Sequence, residues 1–336
     1  MPYAWAVLLP LLFSLALTPL VRRFAPKFGL VDMPNARRIN KKPMPTGGGV
    51  AIFFSFLAAS LLLKAPLQLP LILGGGIVLL VGLLDDSMEL KAGPKFLGQL
   101  VGVLIFVLAG PRIEFVTNPW GGMIFLGYFS IPITVFWMMA VVNIMNFIDG
   151  LDGLSAGISL ISCTALFTIA FDFGRADAAL LAVLLAGAIA GFLPYNFNPA
   201  RIYLGDAGAM FLGFMLGAIA AEGALKGAAT IGLSIPTLIL AVPTMDTVCN
   251  IVRRVRQGVP VYQADRGHFH HRLLDLGWSQ RRVVLFLYMA SLLAAAVALY
   301  ITRTPQYSWV VLGMVGMLLM SVAWRFGWNG QSAQKS

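Results

Sequence analysis

The sequence predicts an all-α polytopic integral membrane protein of about eleven transmembrane helices, with a small β-hairpin outside the membrane near 111–129. Three observations predict it. Hydrophobic residues make up 59% of the 336 residues and charged residues only 11%, whereas soluble domains carry roughly a quarter charged residues. Apolar runs close to the roughly 20 residues that cross a bilayer recur from end to end. Lys and Arg concentrate in alternate connecting segments, the asymmetry that orients membrane helices.

The first run, "MPYAWAVLLPLLFSLALTPLVRR", has no basic residue ahead of its apolar stretch, and Arg22 and Arg23 follow it. That is the pattern of a retained first helix with its N-terminus outside, not of a cleaved leader. The predicted spans are 2–21, 47–64, 67–84, 95–110, 129–148, 152–171, 177–195, 206–221, 229–250, 282–301 and 307–324. With the N-terminus outside, the inner segments hold 19 of the 24 Lys and Arg, leaving Lys64, Arg112, Arg175, Lys226 and Arg303 outside. A wrong helix count would mix these numbers, so the split supports both count and orientation and places the C-terminus in the cytoplasm. It also explains the net charge of +10 without a nucleic-acid partner. In "PRIEFVTNPWGGMIFLGYF" (111–129), β-branched and aromatic residues flank an Asn-Pro-Trp-Gly-Gly turn, the signature of a hairpin. Cys163 and Cys249 read as small buried hydrophobes. Residues 1–328 are expected to form a single transmembrane domain, and 329–336, "NGQSAQKS", a disordered tail.

Ten of the fourteen acidic residues fall on the inner side or at inner helix ends. In "GLLDDSMEL", Asp85 and Asp86 close the third span; adjacent carboxylates at a membrane boundary are costly unless a cation or a proton-transfer role offsets them. In "NIMNFIDGLDGLSAG", Asn143, Asn146, Asp149 and Asp152 recur at helical spacing, a set of hard oxygen donors suited to Mg²⁺ or sugar hydroxyls. Asp152 is equally well placed to cap the next helix. In "NFNPARIYLGDAGAMFLG", Asn196 and Asn198 precede Arg201, a candidate phosphate ligand, and Asp206, either a helix cap or a metal ligand. The chain's three histidines, His268, His270 and His271, all lie in "DRGHFHHRLLDLG" beside Arg266 and Arg272. With no fourth zinc ligand nearby in sequence, phosphate contact is the preferred role. "NKKPMPTGGGV" (40–50) opens the second span with a glycine run, a weak anion-binding signal. Under the derived topology all these clusters converge on the cytoplasmic face. There a site can join a soluble phosphorylated donor to an acceptor in the membrane.

From about residue 29 to 282 the chain resembles the polyprenyl-phosphate N-acetylhexosamine-1-phosphate transferases of the WecA/TagO type, and more distantly the phospho-MurNAc-pentapeptide translocases. The anchors are "GLLDD" with "KFLGQ", "NFIDGLDGL", "NPARIYLGDAGAMFLG" and "HFHHRL", in family order. The resemblance implies transfer of a sugar-1-phosphate from a UDP-N-acetylhexosamine to undecaprenyl phosphate, with release of UMP, as the first membrane step of a bacterial cell-surface glycan in the inner membrane. It implies Mg²⁺, with Mn²⁺ as a substitute, on Asp206. It places the lipid-phosphate base at Asp85 with Asp86 beside it, and nucleotide-sugar contacts at Lys42, Asn146, Asp149, Asp152 and Asn196. Diphosphate contacts fall on Lys95, His270 and His271, with His268, Arg201 and Arg272 as further binding residues. Two departures stand out: Ala209 occupies a position where relatives often carry Ser, and "GHFHHRL" replaces the Pro-Leu-His-His-His form of the translocases. The second favours a plain UDP-HexNAc, UDP-GlcNAc first, over a MurNAc-pentapeptide donor.

Another UDP-HexNAc donor is the nearest alternative. A secondary transporter is the alternative of a different class, and it requires ionisable residues near the bilayer midplane. The sequence leaves the oligomeric state open, a homodimer included.

Overall fold

A computed structural model of the chain describes residues 2–34, 42–66, 68–117, 123–227, 234–258 and 268–304. The helices are α1 (Pro2–Phe24), α2 (Gly48–Leu62), α3 (Leu69–Met88), α4 (Ala92–Ala109), α5 (Ser130–Ile148), α6 (Leu154–Asp172), α7 (Ala176–Asn196), α8 (Gly205–Gly227), α9 (Ser234–Ile239), α10 (Ala241–Gln257), α11 (Phe269–Asp275) and α12 (Gln280–Arg303). Eight of the described helices are long and apolar enough to cross a membrane. The expected hairpin is present: β3 (Phe115–Thr117) pairs antiparallel with β4 (Met123–Phe125), with Val116 opposite Ile124. A second two-stranded sheet, β1 (Val31–Asp32) with β2 (Met44–Pro45), has no counterpart in the sequence reading.

Two expected spans come out differently. The run 47–64 forms the 15-residue α2, about 22 Å long at 1.5 Å per residue, shorter than an apolar bilayer core. The run 229–250 divides at Leu240 into α9 and α10. The physical reason lies in α10, which buries Asp246, Thr247, Asn250 and Arg254 and is therefore a polar-faced helix, not a lipid-facing one. The span 307–324 and the tail 329–336 lie outside the described residues, as do the hairpin turn at 118–122 and residues 259–267.

The bundle is built around α8. Every residue from Ala207 to Ala221 is buried, as expected of a helix apolar on all sides. Helices α2, α3, α5, α6 and α7 surround it. Backbones meet where side chains are absent. A Cβ on Gly82 of α3 would collide with the backbone of Ala207, so only glycine lets the two helices come this close. At the same end of α8, the Gly48 and Gly49 amides of α2 donate to the Tyr203 and Leu204 carbonyls at 3.0 and 3.1 Å. Around this core, Leu73, Leu80 and Leu84 of α3 and Leu285, Met289 and Leu293 of α12 are exposed, an outward apolar surface fit for lipid.

Enlarging Gly82 therefore acts on the position of α8 itself. Gly82→Leu is expected to lower the thermal midpoint of the detergent-purified protein by an amount corresponding to about 1–3 kcal/mol of overpacking. An unchanged midpoint would show that α3 and α8 are not in backbone contact.

Candidate active site

The main cleft opens where α3 and α5 end and α8 begins, at the opposite end of α4 and α5 from the β3–β4 hairpin. It encloses about 760 Å³. Its walls include the C-terminal turn of α3, the α5–α6 turn, the loop ahead of α8, strand β1 and His271 of α11. Of the residues singled out from sequence, Asp85, Asp86, Asp149, Asp152, Asn196, Asp206 and His271 line it.

Asp206 stands in the first turn of α8, half-buried, and both of its oxygens are held. Lys95 Nζ donates to Oδ2 at 2.9 Å and Asn146 Nδ2 to Oδ1 at 2.7 Å. The same ammonium lies 2.6 Å from Asp85 Oδ2 and 2.9 Å from Asn146 Oδ1. Lys95, expected to meet a diphosphate, is thus engaged by two carboxylates and an amide. Below this knot, Asn143 Nδ2 donates to Gln99 Oε1 at 3.0 Å and fixes the α4–α5 contact.

The adjacent Asp85 and Asp86 do different work. Asp85 Oδ1 accepts the Leu90 amide at 2.8 Å and closes the end of α3. Asp86 accepts the Asp206 and Ala207 amides at 2.9 and 3.3 Å, so a carboxylate from α3 caps the start of α8. That fills the anion-attracting end of α8 from within the chain. Asp152 does not cap α6, whose preceding residue is Gly153 with no side-chain cap. It accepts Asn198 Nδ2 at 2.8 Å and the Ala200 amide at 3.1 Å, holding the loop ahead of α8. Asn196 is buried and donates to the Ile202 carbonyl in the same loop.

Asp149 is the exception. It ends α5, lines the cleft and, among the described residues, makes no hydrogen bond through its carboxyl group. Burial, with the Asp206, Asp86 and Asp152 carboxylates around it, raises it well above the usual carboxylate range.

The histidines separate. His271 lines the cleft. His270 does not: it is 1% exposed, and its Nε2 sits where a Cβ on Gly150 would be, leaving room only for glycine. Burial pushes its imidazole down to about 3, so it is uncharged and not a cationic partner for a diphosphate. His268 pairs with Asp246 at 2.7 Å instead of facing the cleft. Arg201, Lys42 and Arg272 do not line the cleft either; Arg201 and Lys42 are exposed.

Several cleft residues escaped the sequence reading: Asp32 and Thr46 on and beside the β1–β2 sheet, Glu89 after α3, and Gln280 at the start of α12. Their only signal was proximity to recognised motifs. Asp246 was hidden inside a run read as apolar.

The walls therefore carry seven carboxylates, Asp32, Asp85, Asp86, Glu89, Asp149, Asp152 and Asp206, and no Lys or Arg among the described residues. Such a cleft repels an anionic substrate unless a cation enters with it. An all-oxygen donor set of this kind fits a hard divalent ion.

The model of glycosyl transferase family 4 matches residues 69–224. The probable undecaprenyl-phosphate N-acetylglucosaminyl 1-phosphate transferase of Bacillus subtilis (strain 168) is 35% identical over 319 residues, covering 94% of this chain and 88% of that protein. The chain belongs to glycosyl transferase family 4. A decaprenyl-phosphate N-acetylglucosaminephosphotransferase of Mycolicibacterium smegmatis is 34% identical, over 88% of this chain and 81% of its own length. The undecaprenyl-phosphate alpha-N-acetylglucosaminyl 1-phosphate transferase of Yersinia pestis is 28% identical, over 95% and 90%. The part matched by the glycosyl transferase family 4 model runs from α3 into α8. It contains the Asp85–Lys95–Asn146–Asp206 knot and Asp149, but neither the β1–β2 wall nor the histidine segment.

The different duties of two nearby carboxyl groups can be separated by thermal unfolding. Asp86→Ala removes the cap of α8 and is expected to cost about 1–2 kcal/mol, the usual range for a lost helix cap. Asp149→Asn removes no hydrogen bond and is expected to leave the midpoint unchanged or raise it. The reverse order would contradict these assignments.

Proposed function

We propose that the chain transfers N-acetylglucosamine-1-phosphate from UDP-GlcNAc to undecaprenyl phosphate, forming undecaprenyl-diphospho-GlcNAc and releasing UMP. The observation that carries this reading is a carboxylate-lined cleft at the helix ends of an apolar bundle, in a chain whose relatives bear that activity in their names. A phosphate oxygen of the lipid attacks the phosphorus that bears the sugar. The bond from that phosphorus to the bridging oxygen breaks, and the oxygen leaves with UMP. The attacking phosphate is already an anion at neutral pH, so a base is needed only for its second ionisation, with a pKa near ~6.

The residues divide the work by their engagements. Asp149 and Asp206 would hold Mg²⁺, or Mn²⁺ in its place; Asp149 has no competing hydrogen bond among the described residues, and Asp206 is oriented by Lys95 and Asn146. When bound, the ion neutralises charge on the diphosphate as UMP leaves. Asp85, paired with Lys95, and Asp86, capping α8, fix the position of Asp206. The family assignment of a base to Asp85 thereby becomes a positioning role. Asn196 and Asp152 shape the loop ahead of α8, and His271 offers an imidazole donor to the donor substrate. The carboxylates stand at helix ends, Asp85 in the last turn of α3, Asp149 after α5 and Asp206 in the first turn of α8. These ends belong to full-length apolar spans and not to helices broken at the bilayer midplane, which favours the transferase over a transporter.

Purified protein given undecaprenyl phosphate and a panel of UDP-sugars is expected to release UMP fastest with UDP-GlcNAc, and a chelator to stop it. Asp206→Asn and Asp149→Asn should each slow turnover about a hundredfold or more, as loss of a preorganised electrostatic group does. Normal turnover in both variants, or turnover indifferent to chelation, would overturn the assignment.

The Lys and Arg split supports a cytoplasmic cleft and an outer hairpin, and the relatives' polyprenyl-phosphate acceptors support a bacterial inner-membrane location. In a chain with Cys163→Ala and Cys249→Ala, an impermeant maleimide applied to intact cells is expected to label Glu114→Cys beside β3 and to spare Lys91→Cys before α4. The opposite pattern inverts the topology.

A further inference from the structure

One cluster of ligand-type side chains stands outside the cleft. Asp246 of α10, His268 just before α11 and His270 within α11 each place a ligand atom within 4.8 Å of the other two. His268 Nδ1 lies 2.7 Å and His270 Nδ1 3.9 Å from the same oxygen, Asp246 Oδ2. Asp246 Oδ1 accepts the Phe269 amide at 2.5 Å, which fixes the carboxylate's orientation. Asp246 is 8% exposed and His270 1% exposed. Among the described residues, neither nitrogen of the His270 ring has a hydrogen-bond partner, an unusual state for so deeply buried a polar group.

We propose that Asp246, His268 and His270 form a second metal site, for a borderline divalent ion of the zinc class, which fastens α11 to α10. The donor set decides the class. Two imidazoles and one carboxylate suit Zn²⁺ or Co²⁺, whereas Mg²⁺ prefers oxygen ligands of the kind that line the cleft. The ion would occupy the free Nδ1 of His270 and take the place of the proton between His268 and Asp246, as metal binding to titratable ligands does. The site is one of positioning. The far side of His270 supports Gly150, the residue after Asp149, and the next residue along, His271, lines the cleft. A fixed His270 therefore fixes both the turn that carries Asp149 and the helix that carries His271. None of this depends on which sugar nucleotide is used or on the transferase reading.

The chain's three histidines all lie in this segment, so nitrogen ligation of an added ion reports on it alone. The test uses full-length protein purified without a polyhistidine tag, stripped with chelator and titrated with Co²⁺ by equilibrium dialysis and visible absorption. The expected result is that one of the Co²⁺ ions taken up per chain gives ligand-field bands of nitrogen ligation, bands that Zn²⁺ abolishes and excess Mg²⁺, which competes for the cleft, leaves in place. Asp246→Ala and His268→Asn should weaken it at least about tenfold, the range for disturbed metal sites. Asp206→Asn should bind as the parent does. His268→Asn keeps a hydrogen bond to Asp246 and is the informative variant if Asp246→Ala does not fold. The proposal is overturned if the parent takes up no Co²⁺ with such bands, if His268→Asn binds as tightly as the parent, or if Asp206→Asn abolishes the signal.

Discussion

The Lys95 ammonium, shared between Asp85 and Asp206, is the contact on which the remaining geometry of the cleft depends. Helices α3 and α8 each bring a carboxylate to the same place, and without a cation between them they would repel across a poorly screened gap. Lys95 is 18% exposed and Asp85 9%, so neither charge is well solvated. Removing one member of such a group leaves the others uncompensated, which typically costs about 3–5 kcal/mol where burial is complete; partial exposure of Asp206 reduces that here. Asn146 joins the knot as both donor and acceptor, tying α5 to it. Four helices, α3, α4, α5 and α8, are thereby held in one register.

That electrostatic knot works only because packing delivers the helices to within a few ångströms. α8 is buried along its whole described apolar length, and α3 approaches its first turn at Gly82. Asp86, four residues on along α3, then reaches the free amides of α8. A single turn of α3 thus contributes a gap for the backbone, a cap for the neighbouring helix and one arm of the ion-paired group. Among the described residues, Asp149 is the carboxyl group at this meeting point without a hydrogen-bond partner, and such a group among other carboxylates is where an added cation gains most.

Much of this was legible in the sequence, for a physical reason: spans are written as local apolar runs, and a hairpin as local turn chemistry. Asp85, Asp86, Asp149 and Asp206 were visible because carboxylates at membrane boundaries are costly enough to stand out. Their individual duties were not. Asp86 acts on amides 120 residues away, and Asp152 on a loop 46 residues away; no local pattern encodes either. The 229–250 run misled because hydropathy averages over faces, and Asp246 sits on the buried polar side of α10. The β1–β2 pair is two residues per strand, too short for any periodicity to register.

The histidine segment shows how distance in the chain conceals chemistry. By sequence alone, three imidazoles without a fourth ligand argued for phosphate contact and against a metal. In the fold, Asp246 supplies the missing oxygen from 22 residues upstream, and His270 turns inward beneath Gly150. Of the three, only His271 lines the cleft. The segment therefore divides between an outer contact to the cleft and an inner anchor beneath it. The two sets of candidate cation ligands differ in softness as well as in place: oxygen alone where a diphosphate must be neutralised, nitrogen with oxygen where the chain itself is held. That difference keeps a hard ion such as Mg²⁺ out of the nitrogen-bearing site, while the occupant of the oxygen site follows which ion is available.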